Sequence, residues 1–216
     1  MTGSVNDIID QMSQSEAGSH DILIHPNTET FRKLYSGYVK RQLKDDSQIV
    51  LIIPYYETTD KVREVLSESI VDIPEGDDKN DNDNNRMNSE ITKHEKEGSL
   101  VIKDSVKAYS SYSSDLEGNG NSNAAWNLIQ GLVKRAENLG KNGVTVIADL
   151  GSFYHHLGNT QRLVEYELYL PRRYDDMKMK GFCVYHKEDF EKRLTEEQKQ
   201  KLLQHHGKVF IVEDRY

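Results

Sequence analysis

Residues 49–53 read Ile49-Val50-Leu51-Ile52-Ile53, a run of β-branched and leucine side chains with no polar residue among them. Successive side chains of a strand point to opposite faces, so a strand with one wet face alternates apolar and polar positions. A run without alternation implies burial on both faces, the situation of a parallel sheet sandwiched between helices. The segment is the candidate for the central strand.

The same logic extends in both directions along the chain. Asp21 to His25 (DILIH) is a short apolar run closed by Pro26 and Asn27, a strand ending in a turn. Between the two runs, Phe31, Leu34, Tyr35, Tyr38, Val39 and Leu43 recur at the spacing of one face of an amphipathic helix. Asn27 is placed to cap that helix, and Glu29 suits its electropositive first turn. Beyond Ile53, residues Val62, Val65, Leu66 and Ile70 mark a second helix starting near Thr58 or Thr59. Residues 100–102 read as a strand. Trp126, Ile129, Val133 and Ala136, with a second stripe of Leu128, Leu132 and Leu139, give a helix apolar over a wide arc until Gly140 ends it. Strands at 144–148, 182–185 and 209–212 and helices at 160–170 and 195–205 complete the pattern. Strands separated by helices predict a doubly wound α/β fold, with a mainly parallel sheet of about six strands and helices on both faces.

The 216 residues suffice for one domain with a substantial core. The mean hydropathy of −0.76 is more polar than such a core needs, so part of the chain is expected outside it. Residues 74–99 hold eight acidic side chains against four basic ones and almost no large apolar group, the composition of a disordered acidic insert. Its Asp77 to Asn85 cluster lacks the glycine and terminal glutamate of a calcium-binding EF-hand loop. Residues 110–123, with Gly118 and Gly120 among asparagines, read as a flexible loop, and residues 1–19 as a flexible tail, leaving 20–216 as a single domain. The net charge of −8 disfavours direct contact with nucleic acid or an anionic membrane. No apolar run approaches the roughly 20 residues that span a bilayer, and the first residues lack the basic and apolar regions of a secretory signal. A single cysteine, Cys183, allows no intrachain disulfide, which makes a reducing cytoplasm the expected setting.

The turn His25-Pro26-Asn27-Thr28 after the first strand has neither a Gly-Lys-Ser/Thr phosphate loop nor a Gly-x-Gly-x-x-Gly fingerprint, so a phosphate-loop ATPase is not expected. Nucleophile elbows and His-Glu-x-x-His helices are absent too. In open parallel sheets ligands bind outside the carboxyl ends of the strands. The side chains at those ends are His25, Tyr55 and Tyr56, Asp104, Asp149 and His186, with His155 close behind in DLGSFYHH. Polar residues end most strands, so each position also has a purely structural reading. A metal site on Asp149 with His155 or His156 lacks a third ligand, and neither a metal nor a cofactor is expected. Glu167 falls with Leu163 and Leu170 at i, i+4 and i+7, which turns a carboxylate toward the sheet, where it needs partners. Cys183 within its strand reads as a small buried hydrophobe. His205 and His206 suit the electronegative end of their helix.

Tyr166-Glu167 on a helix, Cys183-Val184-Tyr185 on a strand, Phe190, and Leu202-Leu203-Gln204-His205-His206 ahead of Val209 resemble the methanogen and methylotroph sensory (MEDS) domain family. His20 with DILIH and Phe31 resemble the family's opening strand and helix, and the similarity runs from about His20 to Val212. The resemblance implies a core related to RecA and KaiC that has lost its phosphate loop, and a sensory role directed at small organic or hydrocarbon-derived signals. It adds Glu167, Cys183, Tyr185 and His206 to the candidate ligand residues His25, Tyr55, Asp104, Asp149 and His155. The 19 residues before His20 are too few for a DNA-binding unit, so output through a partner such as a histidine kinase or transcription regulator, with a possible homodimer, is expected. The alternatives are an enzyme using Asp149 and His155 and a ligand-free interaction scaffold.

Overall fold

The computed structural model describes residues 1–70, 82–114 and 124–213. The chain opens with β1 (Thr2–Gly3), α1 (Val5–Ser13), β2 (His20–His25), α2 (Thr28–Asp45), β3 (Gln48–Ile53) and α3 (Thr59–Ile70). It continues through α4 (Asn82–Glu97), β4 (Leu100–Ile102), α5 (Ser105–Ser114), α6 (Ala124–Asn138), β5 (Gly143–Asp149), α7 (Gly151–His155) and α8 (Thr160–Tyr169). The last elements are β6 (Met179–His186), α9 (Lys187–Arg193), α10 (Glu196–His205) and β7 (Val209–Val212). The seven strands form one sheet in the order β1-β7-β2-β6-β5-β3-β4, with every pairing parallel.

The two faces are covered by different halves of the chain. Ile8 and Met12 of α1, Leu34 and Tyr38 of α2, Val62 and Leu66 of α3 and Ile91 of α4 pack on one face with Leu23, Val50, Ile52, Phe182 and Val184. Tyr109, Ile129, Leu132, Phe153, Leu163, Tyr166 and Leu202, from α5 to α10, pack on the other with Ile22, Leu51, Val146, Cys183 and Tyr185. Strand residues alternate strictly between the two layers, so the doubly wound α/β reading is the observed fold.

Four expectations change. IVLII is buried on both faces as predicted, but β3 lies next to the edge strand β4, and the centre of the sheet is β6. An apolar run reports two covered faces and is blind to lateral position. Residues 1–19 are not a free tail. Thr2 and Gly3 pair with Ile211 and Val212 as a seventh strand, and α1, closed by a Ser4–Asp7 capping box, buries Ile8, Ile9 and Met12. Ile9 comes so near Gly37 of α2 that a Cβ there would stand 2.7 Å from its Cδ1. Within the acidic stretch 74–99, residues 82–97 are helical, Ile91 is buried against the core, and Arg63 of α3 grips Glu95 with three N–O distances of 3.0–3.1 Å. That part is helical, with its last turns packed on α3 and the core, and residues 74–81 lie outside the described residues. Likewise α5 covers residues 110–114 of the expected loop, whose remainder lies outside the described residues. Among the described residues no helix is long and apolar enough to cross a membrane.

Candidate functional site

The strand sequence sets two groups of polar side chains apart, one at the carboxyl ends and one near the opposite ends. At the carboxyl ends, β2 passes into α2 through Pro26 and Asn27 alone, and the Asn27 side chain accepts the Thr30 amide at 2.8 Å. One of the free amides at the helix N-terminus is thus satisfied by its own cap. His25 is buried, stacks on Phe31 with ring centroids 4.6 Å apart, and donates from Nδ1 to the Asn27 carbonyl at 3.0 Å. Burial pushes its pKa down to about 3.

The buried Asp149 carboxylate accepts backbone N–H groups of Gly151 at 2.9 Å, Tyr55 at 3.2 Å and Tyr56 at 3.5 Å, tying the end of β5 to the end of β3. Burial nevertheless raises its pKa to about 6. His155 does not meet Asp149. Its Nε2 lies 2.8 Å from Asp189 Oδ2, which also accepts the Tyr56 hydroxyl, while Arg193 donates to Asp189 Oδ1 at 2.7 Å. Burial works against the Asp189 carboxylate, but the hydrogen bonds from Tyr56, His155 and Arg193 outweigh it and lower its pKa. The Tyr55 ring stacks on His155 and rests against Gly151, where a Cβ would stand 2.4 Å from the ring. These rings occupy much of the crevice, leaving beside them a cavity of about 360 Å³ lined by Tyr56, His155, His186, Asp189, Lys192 and Arg193. Asp104 is elsewhere: it follows the edge strand, is exposed, and caps α5 through the Lys107 amide at 2.9 Å.

The second group lies in the layer between β2, β6 and the helices α8 and α10. Asn159 caps α8 by accepting the Arg162 amide, and the helix turns Leu163, Val164, Tyr166 and Glu167 inward. Glu167 is fully buried, as its spacing predicts. On β6, Gly181, Cys183 and Tyr185 share a face, and the parallel register sets His20 opposite Gly181 and Ile22 opposite Cys183. His206, the C-cap of α10, enters from the third side. Glu167 Oε2 lies 3.1 Å from His206 Nε2, 3.4 Å from Cys183 Sγ and 3.5 Å from His20 Nε2, and His20 Nε2 lies 3.2 Å from Cys183 Sγ. Tyr185 donates its hydroxyl to the other carboxylate oxygen, Oε1, at 3.0 Å.

Burial alone would push Glu167 up, but the His206 charge and the hydrogen bonds of His20 and His206 hold it well below the usual carboxylate range. His206 is correspondingly raised: burial opposes its charge, and the Glu167 carboxylate overcomes that opposition. Burial, reinforced by the Glu167 charge, pushes the Cys183 thiol far up. A groove of about 630 Å³ lies over the cluster, lined by His20, Asp21, Arg172, Asp175, His205 and His206 among others.

The candidate residues therefore divide. His25, Tyr55, Asp149 and His155 gather at the carboxyl ends, Glu167, Cys183, Tyr185 and His206 gather in the buried cluster, and Asp104 joins neither. Sequence reasoning passed over Asp189, named Tyr56 only as a strand-end side chain, and named His20 only within the opening strand of the resemblance. Asp189 sits in the first turn of α9, where a helix-favouring role masks it, and beyond its place in the resemblance His20 carried a signal only as the residue two before Ile22 on the same strand face. No family model matches the chain, and no curated protein matches it significantly.

Proposed function

We propose that this chain is a sensory module and not an enzyme: it takes a small ligand at the His20–Glu167–Cys183–His206 cluster and passes the occupied state to a partner protein, such as a histidine kinase or transcription regulator. One observation carries the reading. Four donor side chains, each almost or fully inaccessible, converge on one point inside an otherwise apolar layer, beneath an open groove. Buried polar groups cost stability against apolar side chains of similar size, so a cluster serving the fold alone has little to favour it. The resemblance to MEDS domains supports the same role, because Tyr166-Glu167, Cys183-x-Tyr185 and His206 are the residues around that point. Separation of Asp149 from His155 speaks against the hydrolase alternative, since the carboxylate is engaged by three backbone amides and the imidazole by another acid.

A thermal-shift screen of the full chain against short alcohols, aldehydes, halomethanes and divalent metal ions tests the proposal. The expected result is saturable stabilisation, about 2.7 kcal/mol at a hundredfold excess over Kd, that is lost in Glu167→Gln and His206→Gln with helical content retained. The cavity beside Tyr56 favours one competing location. A response lost instead in Tyr56→Phe or Asp189→Asn would move the site to the carboxyl ends, and no response across the panel would remove the receptor reading.

A further inference from the structure

We propose that the buried cluster is a binding site for one divalent metal ion of the zinc type, held by the Cys183 thiolate, the two imidazole Nε2 atoms of His20 and His206, and Glu167 Oε2. The inference rests on the reading of this cluster as the receptor site and names the ligand it takes.

The donor spacing fits. Zinc sits about 2.0–2.3 Å from nitrogen, oxygen and sulfur ligands in a tetrahedron, whose edges are then about 3.3–3.7 Å. His20 Nε2, Cys183 Sγ and Glu167 Oε2 form a triangle with sides of 3.2, 3.4 and 3.5 Å. His206 Nε2 lies 3.1 Å from the same carboxylate oxygen, and the four donor atoms, all within 4.8 Å of one another, would draw together at their widest edge as the ion binds.

The outer contacts fit as well, and they are the stronger argument. His20 Nδ1 lies 2.8 Å from the Pro171 carbonyl and His206 Nδ1 lies 2.7 Å from the Leu202 carbonyl. A carbonyl only accepts, so each Nδ1 carries a hydrogen, and Nε2 of each ring faces the cluster, where its lone pair becomes available to an ion once any proton it carries has left. This is how metal-ligating histidines are oriented, with the far nitrogen fixed by a backbone oxygen. Tyr185 does the same for the carboxylate, donating to Oε1 and leaving Oε2 for the ion. Three of the four donors thus have their orientation set by a partner outside the cluster, and the fourth is fixed on the central strand.

Charge and softness narrow the ion. A dication joined by one thiolate and one carboxylate leaves no net charge in a buried layer, where an unbalanced charge would be costly. Thiolate and imidazole select zinc-type ions over magnesium or calcium, which require oxygen ligands. The groove bordered by His20 and His206 gives the path from solvent. As the ion enters, the thiol proton and the His206 Nε2 proton that bonds Glu167 both leave to water, and no redox change occurs.

Cobalt(II), a spectroscopic stand-in for zinc, tests the assignment on the full chain, reduced and stripped with chelator. The expected result is one equivalent of cobalt with a sulfur-to-metal charge-transfer band and the intense visible bands of a tetrahedral ion, both bleached by zinc. Cys183 is the only cysteine in the chain, so the charge-transfer band reports it without any variant. Cys183→Ser, where it folds, should lose the band. Absence of the band at saturating cobalt, in protein whose thiol titrates as reduced, would overturn the proposal. If organic ligands still stabilise the chain through His206 while cobalt gives no band, the metal assignment fails and the receptor reading stands; if neither acts, both fail.

Discussion

At the scale of single residues, burial decides which titrating groups report on folding. His25 is enclosed, its Nε2 has no hydrogen-bond partner among the described residues, and its pKa falls to about 3 from 6.5. Above pH 6.5 neither the folded nor the unfolded chain protonates it. Below that value the unfolded chain binds a proton that the folded chain refuses, so stability is lost as pH falls from about 6.5 toward 3, by up to about 1.4 kcal/mol per pH unit. Asp149 acts in the opposite sense: its pKa is raised from 3.8 to about 6, so its favourable contribution is present at low pH and is lost as pH rises through about 6. Urea melts at pH 7, 6, 5 and 4.5 should therefore show that His25→Leu loses less stability on acidification than the parent chain; parallel curves would contradict the assignment. The inward turn of Glu167 was legible from its i, i+4 and i+7 spacing with Leu163 and Leu170. Its partners were not, because His20 and His206 reach it through strand register and helix packing, separated from it along the chain by 147 and 39 residues.

At the scale of elements, amphipathic periodicity located α2, α3, α6, α8 and α10, whereas the short helices α7 and α9 offer too few turns to show a period, and segments judged by average composition were misread. The stretch around Ile91 has a single large apolar residue described as buried, and averaging over an acidic, asparagine-rich neighbourhood conceals it. Glu and Lys are strong helix formers, and one buried anchor with the Arg63–Glu95 fork suffices to seat the end of α4 on α3. Hydrogen exchange should show slowed amides at 94–97, and Ile91→Ala should cost about 2 kcal/mol or more while abolishing that protection. The first nineteen residues were misread for a related reason: Ser, Asp and Gln dominate them, yet Ile8, Ile9 and Met12 recur on one helical face. Met12→Ala should lower stability by about 2–5 kcal/mol in denaturant melts, a loss no free tail would produce. Seven strands against an expected six follows from the same segment, since two residues of parallel pairing leave no readable apolar run.

At the scale of the whole molecule, the helices of the first half cover one face of the sheet and those of the second half the other. The carboxyl ends of β2 and β6, neighbours whose following helices go to opposite faces, mark the place where such sheets usually bind ligands. Here that place is largely filled by His25, Tyr55, Tyr56 and His155, and the two-residue turn before α2 offers no cradle for phosphate. Buried, mutually oriented donors are found instead within the layer covered by α8 and α10. The fold class could be read from the order of apolar runs, but the occupation of the crevice by aromatic rings could not, because it depends on how side chains pack there. X-ray absorption at the zinc edge of the zinc-loaded full chain addresses the central claim most directly. The account predicts one sulfur at about 2.3 Å with three nitrogen or oxygen neighbours at about 2.0–2.1 Å; a shell of light atoms without sulfur would contradict it.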